Sequence, residues 1–402
     1  MRILQINSVC GIGSTGRIAT DIHGILLDHG HESYIAYGRG EPRNCNNSVR
    51  IGTNLDNYMH LVRTRLKDDH GFGSEVATIN FIEKLRDINP DVIHLHNIHG
   101  YYLNIKILFD YLYETNKPLV WTLHDCWPFT GHCAYFDYVG CERWKSGCFQ
   151  CPQKQKYPSS FFKDNSKSNY AMKKALFASY NNITFVTPSN WLAKLLKQSF
   201  LSEFPQKVIY NGVDTSIFKP AKTSNFRKTN NLKNKFIILG VANIWDERKG
   251  LKYFLELSSF LDRDEIIVLI GLSESQRKNL PLNIIGISRT NNIVELSEIY
   301  SEADVFVNPT LEDNFPMTNI EALACGTPIV TFNTGGSIEA VDNHTGFVVR
   351  DNNTKSMLEM IRKVKIKTKQ FYEDNCVNRV SYYFSKEKSY NNYLELYRGF
   401  EG

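Results

Sequence analysis

The residues best equipped for chemistry fall into two groups. The first is the run Thr310-Leu311-Glu312-Asp313-Asn314-Phe315-Pro316-Met317-Thr318-Asn319-Ile320-Glu321, which leads into Ala322-Leu323-Ala324-Cys325-Gly326-Thr327-Pro328. A loop that becomes a helix near Phe315–Met317 presents free amides to an anion, while Asp313 projects from the loop. Glu321, about two turns further on, can accept two hydrogen bonds from a ribose diol. One carboxylate on the loop and one on the helix can thus grip opposite ends of a nucleotide sugar. The plainer alternative is an acidic helix cap. The second group is Arg248-Lys249-Gly250, between a strand-like Phe236–Val241 and a helix expected over Leu251–Phe260. Cations at such a junction can hold a diphosphate and stabilise its departure. Against that stands a solvated basic helix start.

The first half of the chain offers weaker candidates. Gly11-Ile12-Gly13-Ser14-Thr15-Gly16-Arg17 follows the first strand and can bring backbone amides close to a phosphate, or simply permit a tight turn. Where a dinucleotide site would carry an acid for the ribose, Tyr37-Gly38-Arg39 stands instead, so a dehydrogenase loses support. His124, in Thr122-Leu123-His124-Asp125, follows another strand. In Asp91-Val92-Ile93-His94-Leu95-His96-Asn97-Ile98-His99, strand alternation puts His94 and His96 on one side, where they can pack, hydrogen-bond or ligate a metal. Asn97 and His99 lie at the strand exit, suited to an acceptor. Cys133, Cys141, Cys148 and Cys151 are read as a possible structural zinc set or as ordinary reduced thiols.

These candidates need rigid elements to hold them. A chain of 402 residues implies roughly two domains. Strands are predicted near residues 2–8, 33–37, 91–95, 118–123, 183–187 and 207–210. A second series follows near 236–241, 266–270, 283–285, 304–307, 328–331 and 347–349. Helical stretches alternate with them, which predicts two parallel sheets covered by helices. Ser189 should cap a helix over 189–198. A polar connection over 222–235 after Phe218-Lys219-Pro220 suggests a hinge, and Tyr390, Tyr393, Leu394 and Tyr397 form one face of a final helix beginning near Ser385. The formal charge of +5 favours anionic partners only weakly and gives no reason to expect nucleic acid. With neither a leader-like start nor a long apolar run, the expected location is cytoplasmic. The basic, aromatic stretch 144–174 suits contact with an anionic membrane.

Asn211-Gly212-Val213-Asp214 with Phe218 and Pro220, Arg248-Lys249-Gly250, Asp313 through Pro328, and Gly335-Gly336 with Gly346 together resemble family 4 glycosyltransferases over nearly the whole chain. The resemblance implies an α/β GT-B fold, two Rossmann-like parallel-sheet domains facing across a cleft. The acceptor-side domain would span 1–214, the nucleotide-sugar domain 215–384, and a helix over 385–402 would cross back. It implies transfer of a sugar from a nucleotide diphosphate with retained configuration and no catalytic metal. The acceptor would be a glycan or a lipid-linked sugar, in the manner of bacterial surface-polysaccharide enzymes.

Carried over residue by residue, the catalytic set is His124, Lys249 and Asp313. Donor contacts fall to Gly13, Arg248, Lys249, Asp313, Phe315, Met317, Thr318 and Glu321, and acceptor contacts to Gly16, Asn97 and His99. Two departures stand out: Asp313 replaces the first of the family's two glutamates, and Asn243 lies where many relatives have an arginine. A GT-B epimerase or phosphorylase and a noncatalytic nucleotide-sugar sensor are the competing readings.

Overall fold

The computed structural model describes residues 1–221 and 224–400. Lys222 and Thr223 of the expected connection, and Glu401 and Gly402 of the final segment, lie outside the described residues. The chain divides into two compact units, Met1–Ile209 together with the segment from Tyr390 onward, and Tyr210–Ser389.

Unit 1 is built on seven strands: β1 (Arg2–Val9), β2 (Glu32–Arg39), β3 (Ser48–Arg50), β4 (Val92–Leu95), β5 (Leu119–Thr122), β6 (Ile183–Thr187) and β7 (Gln206–Val208). They pair in parallel in the order β3-β2-β1-β4-β5-β6-β7. Parallel strands are covered on both faces and read as nearly continuous apolar runs, which is why β4 and β5 are buried at every position. In unit 2, β8 (Phe236–Val241), β9 (Glu265–Ile270), β10 (Ile284–Ile287), β11 (Val305–Asn308), β12 (Ile329–Phe332) and β13 (Gly346–Val349) form a parallel sheet ordered β10-β9-β8-β11-β12-β13.

Each sheet is therefore doubly wound. In unit 1 the chain works outward from β1 to β3, then returns to lay β4 on the other side of β1; in unit 2 the reversal falls between β8 and β11. Loops that leave neighbouring strands in opposite directions open a crevice at the carboxyl ends of those strands, where α/β proteins bind ligands. In unit 1 the loop after β1 leads into the helix that begins at Gly13 and includes Gly16, and the loop after β4 carries Asn97 and His99. In unit 2 they carry Arg248 and Lys249 after β8 and Asp313 after β11.

Ser189 caps the helix Asn190–Leu196 by accepting from the Leu192 amide at 3.1 Å. The last helix, Lys386–Arg398, starts within unit 2, and its residues from Tyr390 belong to unit 1. Tyr390, Tyr393, Leu394 and Tyr397 are all buried. The Tyr393 hydroxyl meets Thr122 Oγ1 at 2.9 Å and the Tyr397 hydroxyl meets His94 Nδ1 at 2.6 Å.

Candidate active site

In unit 2, Arg248 and Lys249 sit in a short 3-10 turn, Glu247–Lys249, capped by the Asp246 side chain, ahead of the helix Leu251–Leu257. Gly250 closes the turn at φ 77°, and a Cβ there would stand 2.2 Å from the Pro309 carbonyl oxygen. Only glycine allows that approach. The turn is sewn to the loop after β11: the Leu311 amide donates to the Arg248 carbonyl at 2.7 Å, and the Arg248 guanidinium donates to the Glu312 carbonyl at 3.0 Å. Lys249 Nζ then meets Asp313 Oδ2 at 2.5 Å. Gly335 fixes the loop from the far side, since a Cβ there would lie 1.9 Å from the Asp313 carbonyl oxygen.

Burial acts to raise the Asp313 carboxyl, but Lys249 and then Arg248 outweigh it and hold it below the usual carboxylate range. Sequence reasoning gave Lys249 the diphosphate and Asp313 one end of the nucleotide sugar, whereas the structure makes them ion-pair partners. The ammonium group has three donors, so the ion pair leaves it able to donate to a diphosphate as well.

Phe315 is buried, and Met317 and Thr318 are half-buried at the start of the helix Met317–Ala324. Glu321 lies on that helix, also buried, and accepts from the Tyr300 hydroxyl at 3.2 Å. Tyr300 is a site residue that the sequence reading missed; it lies on the helix Ile293–Glu302 and nothing in its spacing points to Glu321. Asn319 was also missed. It donates to the Ser337 carbonyl at 3.0 Å and accepts from Asn308 at 2.8 Å, tying the helix to β11.

In unit 1, Gly13 and Gly16 occupy the first turn of the helix Gly13–Asp28. His124 follows β5 and is joined to a buried relay. Gln5 donates its amide to the Ala19 carbonyl at 3.0 Å, which turns Gln5 Oε1 toward His96 Nε2, also at 3.0 Å. An amide oxygen only accepts, so His96 carries its proton on Nε2. Neutral His96 therefore presents a lone pair at Nδ1, and His124 Nε2, 3.0 Å away, must donate to it. The relay leaves Nδ1 as the accepting nitrogen of His124. Burial pushes the His124 imidazole down to about 4, against the pull of Asp125, so the ring is neutral at physiological pH. His94 and His96 do share one side, their ring centroids 4.1 Å apart. His94 spends both nitrogens on Thr122 and Tyr397, which removes it as a metal ligand.

His99 Nε2 meets Asp125 Oδ2 at 2.9 Å, and Asn97 is half-buried beside it in sequence. Asp125 escaped the sequence reading although it is adjacent to His124. Of the two readings of the cysteines, the geometry favours reduced thiols over a zinc set. Among the described residues no group of three or more His, Cys, Asp or Glu side chains is placed to hold a metal ion. Cys133 and Cys151 interact with each other, Cys148 is engaged by the Gly131 amide at 3.1 Å, and all four cysteines are free thiols against the unit 1 core. No helix among the described residues is long and apolar enough to cross a membrane.

Comparison with known proteins bears on both units. The family model described as Glycosyltransferase Family 4 matches residues 15–217, and one described as Glycosyl transferases group 1 matches residues 235–365. The chain is 26% identical over 379 residues to "Putative colanic acid biosynthesis glycosyl transferase WcaC" of Escherichia coli (strain K12), covering 90% of each. It is 26% identical over 221 residues to an Escherichia coli UDP-Gal:alpha-D-GlcNAc-diphosphoundecaprenol alpha-1,3-galactosyltransferase, covering 50% of this chain and 56% of the relative. Among solved structures, a sucrose-phosphate synthase from Thermosynechococcus elongatus superposes with a TM-score of 0.75 at 17% identity, covering 99% of both chains.

Proposed function

The chain belongs to glycosyltransferase family 4, and on that premise we propose that it transfers a sugar, with retained configuration, from a nucleoside diphosphate to a lipid-linked or glycan acceptor of a bacterial surface polysaccharide. The observation that carries this is the pairing of Lys249 with Asp313 at the strand reversal of unit 2, with Glu321 on the helix that follows. Glu321 takes the ribose and Asp313 the transferred sugar. Lys249 and Arg248 stabilise the diphosphate, more strongly as the glycosidic bond breaks and charge accumulates on the leaving group. The acceptor oxygen attacks from the face the leaving group departs, and the departing phosphate takes its proton. His124, a neutral imidazole with an accepting Nδ1, orients a hydroxyl of the transferred sugar.

A diphosphate-linked lipid acceptor is favoured by the relative that uses one and by a surface feature of unit 1. Phe161 and Phe162 are 61% and 73% exposed. The Arg65 guanidinium lies over the Phe161 ring at 5.3 Å and the Arg65 carbonyl accepts from the Phe161 amide at 2.8 Å, which ties Phe161 to Arg65, next in sequence to the exposed Leu66 and Lys67. Aromatic rings flanked by cations suit the interface of an anionic bilayer. A panel of nucleotide sugars, offered with lipid-linked and free acceptors, tests the proposal. Linkage stereochemistry read by NMR should show retention with one nucleoside diphosphate released per linkage. Sugar interconversion without transfer would favour an epimerase, phosphorolysis a phosphorylase, and tight binding without turnover a sensor.

A further inference from the structure

Two thiols near the carboxyl end of β1 take no part in the proposed mechanism. Cys10 follows β1 directly and is fully buried, and Cys45, on the connection between β2 and β3, is half-buried. Cys45 packs on the small cluster of Cys10, Ala19, Ile35 and Tyr37, and the two free thiols hydrogen-bond to each other. An isolated buried thiol is inert, whereas two thiols in contact, one of them reachable from solvent, can be joined.

The backbone around the pair is shaped to the same contact. Residues 40–47 form neither helix nor strand and fold back on the glycine turn that leads from β1 into the helix Gly13–Asp28. The Arg43 amide donates to the Cys10 carbonyl at 3.2 Å, and Cys10 Sγ lies 4.0 Å from the Arg43 carbonyl oxygen. Gly11, at φ 68°, permits this approach, since a Cβ there would stand 2.2 Å from that same oxygen. At the far end of the strap the Asn47 carbonyl accepts from the Ile35 amide at 3.0 Å, and the Asn47 side chain donates to the Ser33 carbonyl at 3.2 Å. Between these anchors Glu41, Arg43, Asn44 and Asn46 are exposed. A soluble oxidant can therefore meet Cys45, and Cys10 is sealed from it.

We propose that Cys10 and Cys45 form a reversible thiol–disulfide site that fastens residues 40–47 to the glycine turn, with a soluble disulfide such as oxidised glutathione as the oxidant. The Cys45 thiolate attacks one glutathione sulfur, which breaks the glutathione disulfide, releases one glutathione thiol and leaves a mixed disulfide on Cys45. The Cys10 thiolate then attacks the Cys45 sulfur, and the second glutathione leaves as the Cys10–Cys45 bond forms. Two electrons pass from the pair to oxidised glutathione, and the two protons given up by the cysteines end on the two glutathione thiols. In the reduced chain the strap can lift from the turn; in the oxidised chain it is held there, against the turn that leads to Gly13 and Gly16. The inference is independent of the glycosyltransferase reading, because the bond needs neither nucleotide nor acceptor.

The test uses the full wild-type chain, equilibrated in native buffer with excess oxidised glutathione or with dithiothreitol, then quenched in acid, unfolded, alkylated and digested. Cys133 and Cys151 are a second interacting pair, so the bond is located by peptide mapping. Oxidation should remove both Cys10 and Cys45 from alkylation and yield a cross-linked peptide that contains them, and dithiothreitol should restore both. Hydrogen exchange over residues 40–47 should slow about tenfold in the oxidised chain. Cys45→Ala should leave Cys10 open to alkylation under the same oxidant and abolish the slowing, and Cys325, buried in unit 2, should stay open to alkylation throughout. Cys10 and Cys45 that remain open to alkylation, or that end as separate glutathione adducts, overturn the site. A mapped bond with unchanged exchange over residues 40–47 overturns the fastening of the strap.

Discussion

The two units arm the strands at and beside their sheet reversals differently. Unit 2 uses formal charge: Lys249, Asp313 and Glu321, with the ion pair at 2.5 Å. Unit 1 uses neutral imidazoles, His94, His96 and His124, each held uncharged by burial. A diphosphate leaving group gains charge during transfer and calls for cations. Sugar hydroxyls stay neutral and call for oriented donors and acceptors. On the proposed mechanism, the charged set of unit 2 suits the leaving group and the neutral set of unit 1 suits the sugar.

The largest effect should come from the charged site. Lys249→Ala should lower kcat/KM about 10³-fold, measured by nucleotide release; a loss under tenfold would make the cation incidental. His124→Ala should cost about 10²-fold in kcat while affinity for the donor's nucleoside diphosphate, read by calorimetry, stays within twofold. Parallel losses of both would place His124 in binding, against the division drawn between the units. A smaller effect, about tenfold in kcat, is expected for Gln5→Leu, with recovery in Gln5→Glu, which keeps the oxygen that His96 donates to. The imidazole ¹⁵N shifts should show His124 protonated at Nε2 in the wild-type chain and mixed in Gln5→Leu. A wild-type Nδ1–H tautomer would break the relay.

Acid should separate the units. The three imidazoles have folded pKa values depressed below 6.5, so the unfolded chain takes up protons that the fold refuses. Their contribution to stability is present above about 6.5 and is lost as pH falls toward 4. Asp313 is also depressed, but its contribution is lost only below its unfolded value of 3.8. Hydrogen exchange at pH 7.5 and 5 should therefore show unit 1 losing protection first; equal loss in both units would contradict this assignment.

Much of the fold was legible because buried parallel strands announce themselves. Every predicted strand overlaps an observed one, and Phe236–Val241 and Ile183–Thr187 agree to the residue. Only β3 escaped, since Ser48-Val49-Arg50 is too short to show a pattern and is half-buried throughout. In the site, residue types were legible and partnerships were not. Lys249 and Asp313 are brought together by the packing of Gly250 on Pro309. Gln5 finds His96 because β1 lies beside β4, a matter of strand order that no local spacing encodes. The cysteine spacing does bring thiols together, Cys133 against Cys151 with Cys148 near by, but not as a set placed to hold a metal among the described residues.

The account stands on Glu321 holding the ribose of a nucleotide in unit 2. A double-mutant cycle by calorimetry tests this directly, pairing wild type and Glu321→Ala with the nucleoside diphosphate that the donor panel identifies and its 2′,3′-dideoxy analogue. Loss of the ribose hydroxyls should weaken binding to the wild-type chain about tenfold and cost almost nothing further in the variant. Penalties that simply add would show that Glu321 and the ribose never meet.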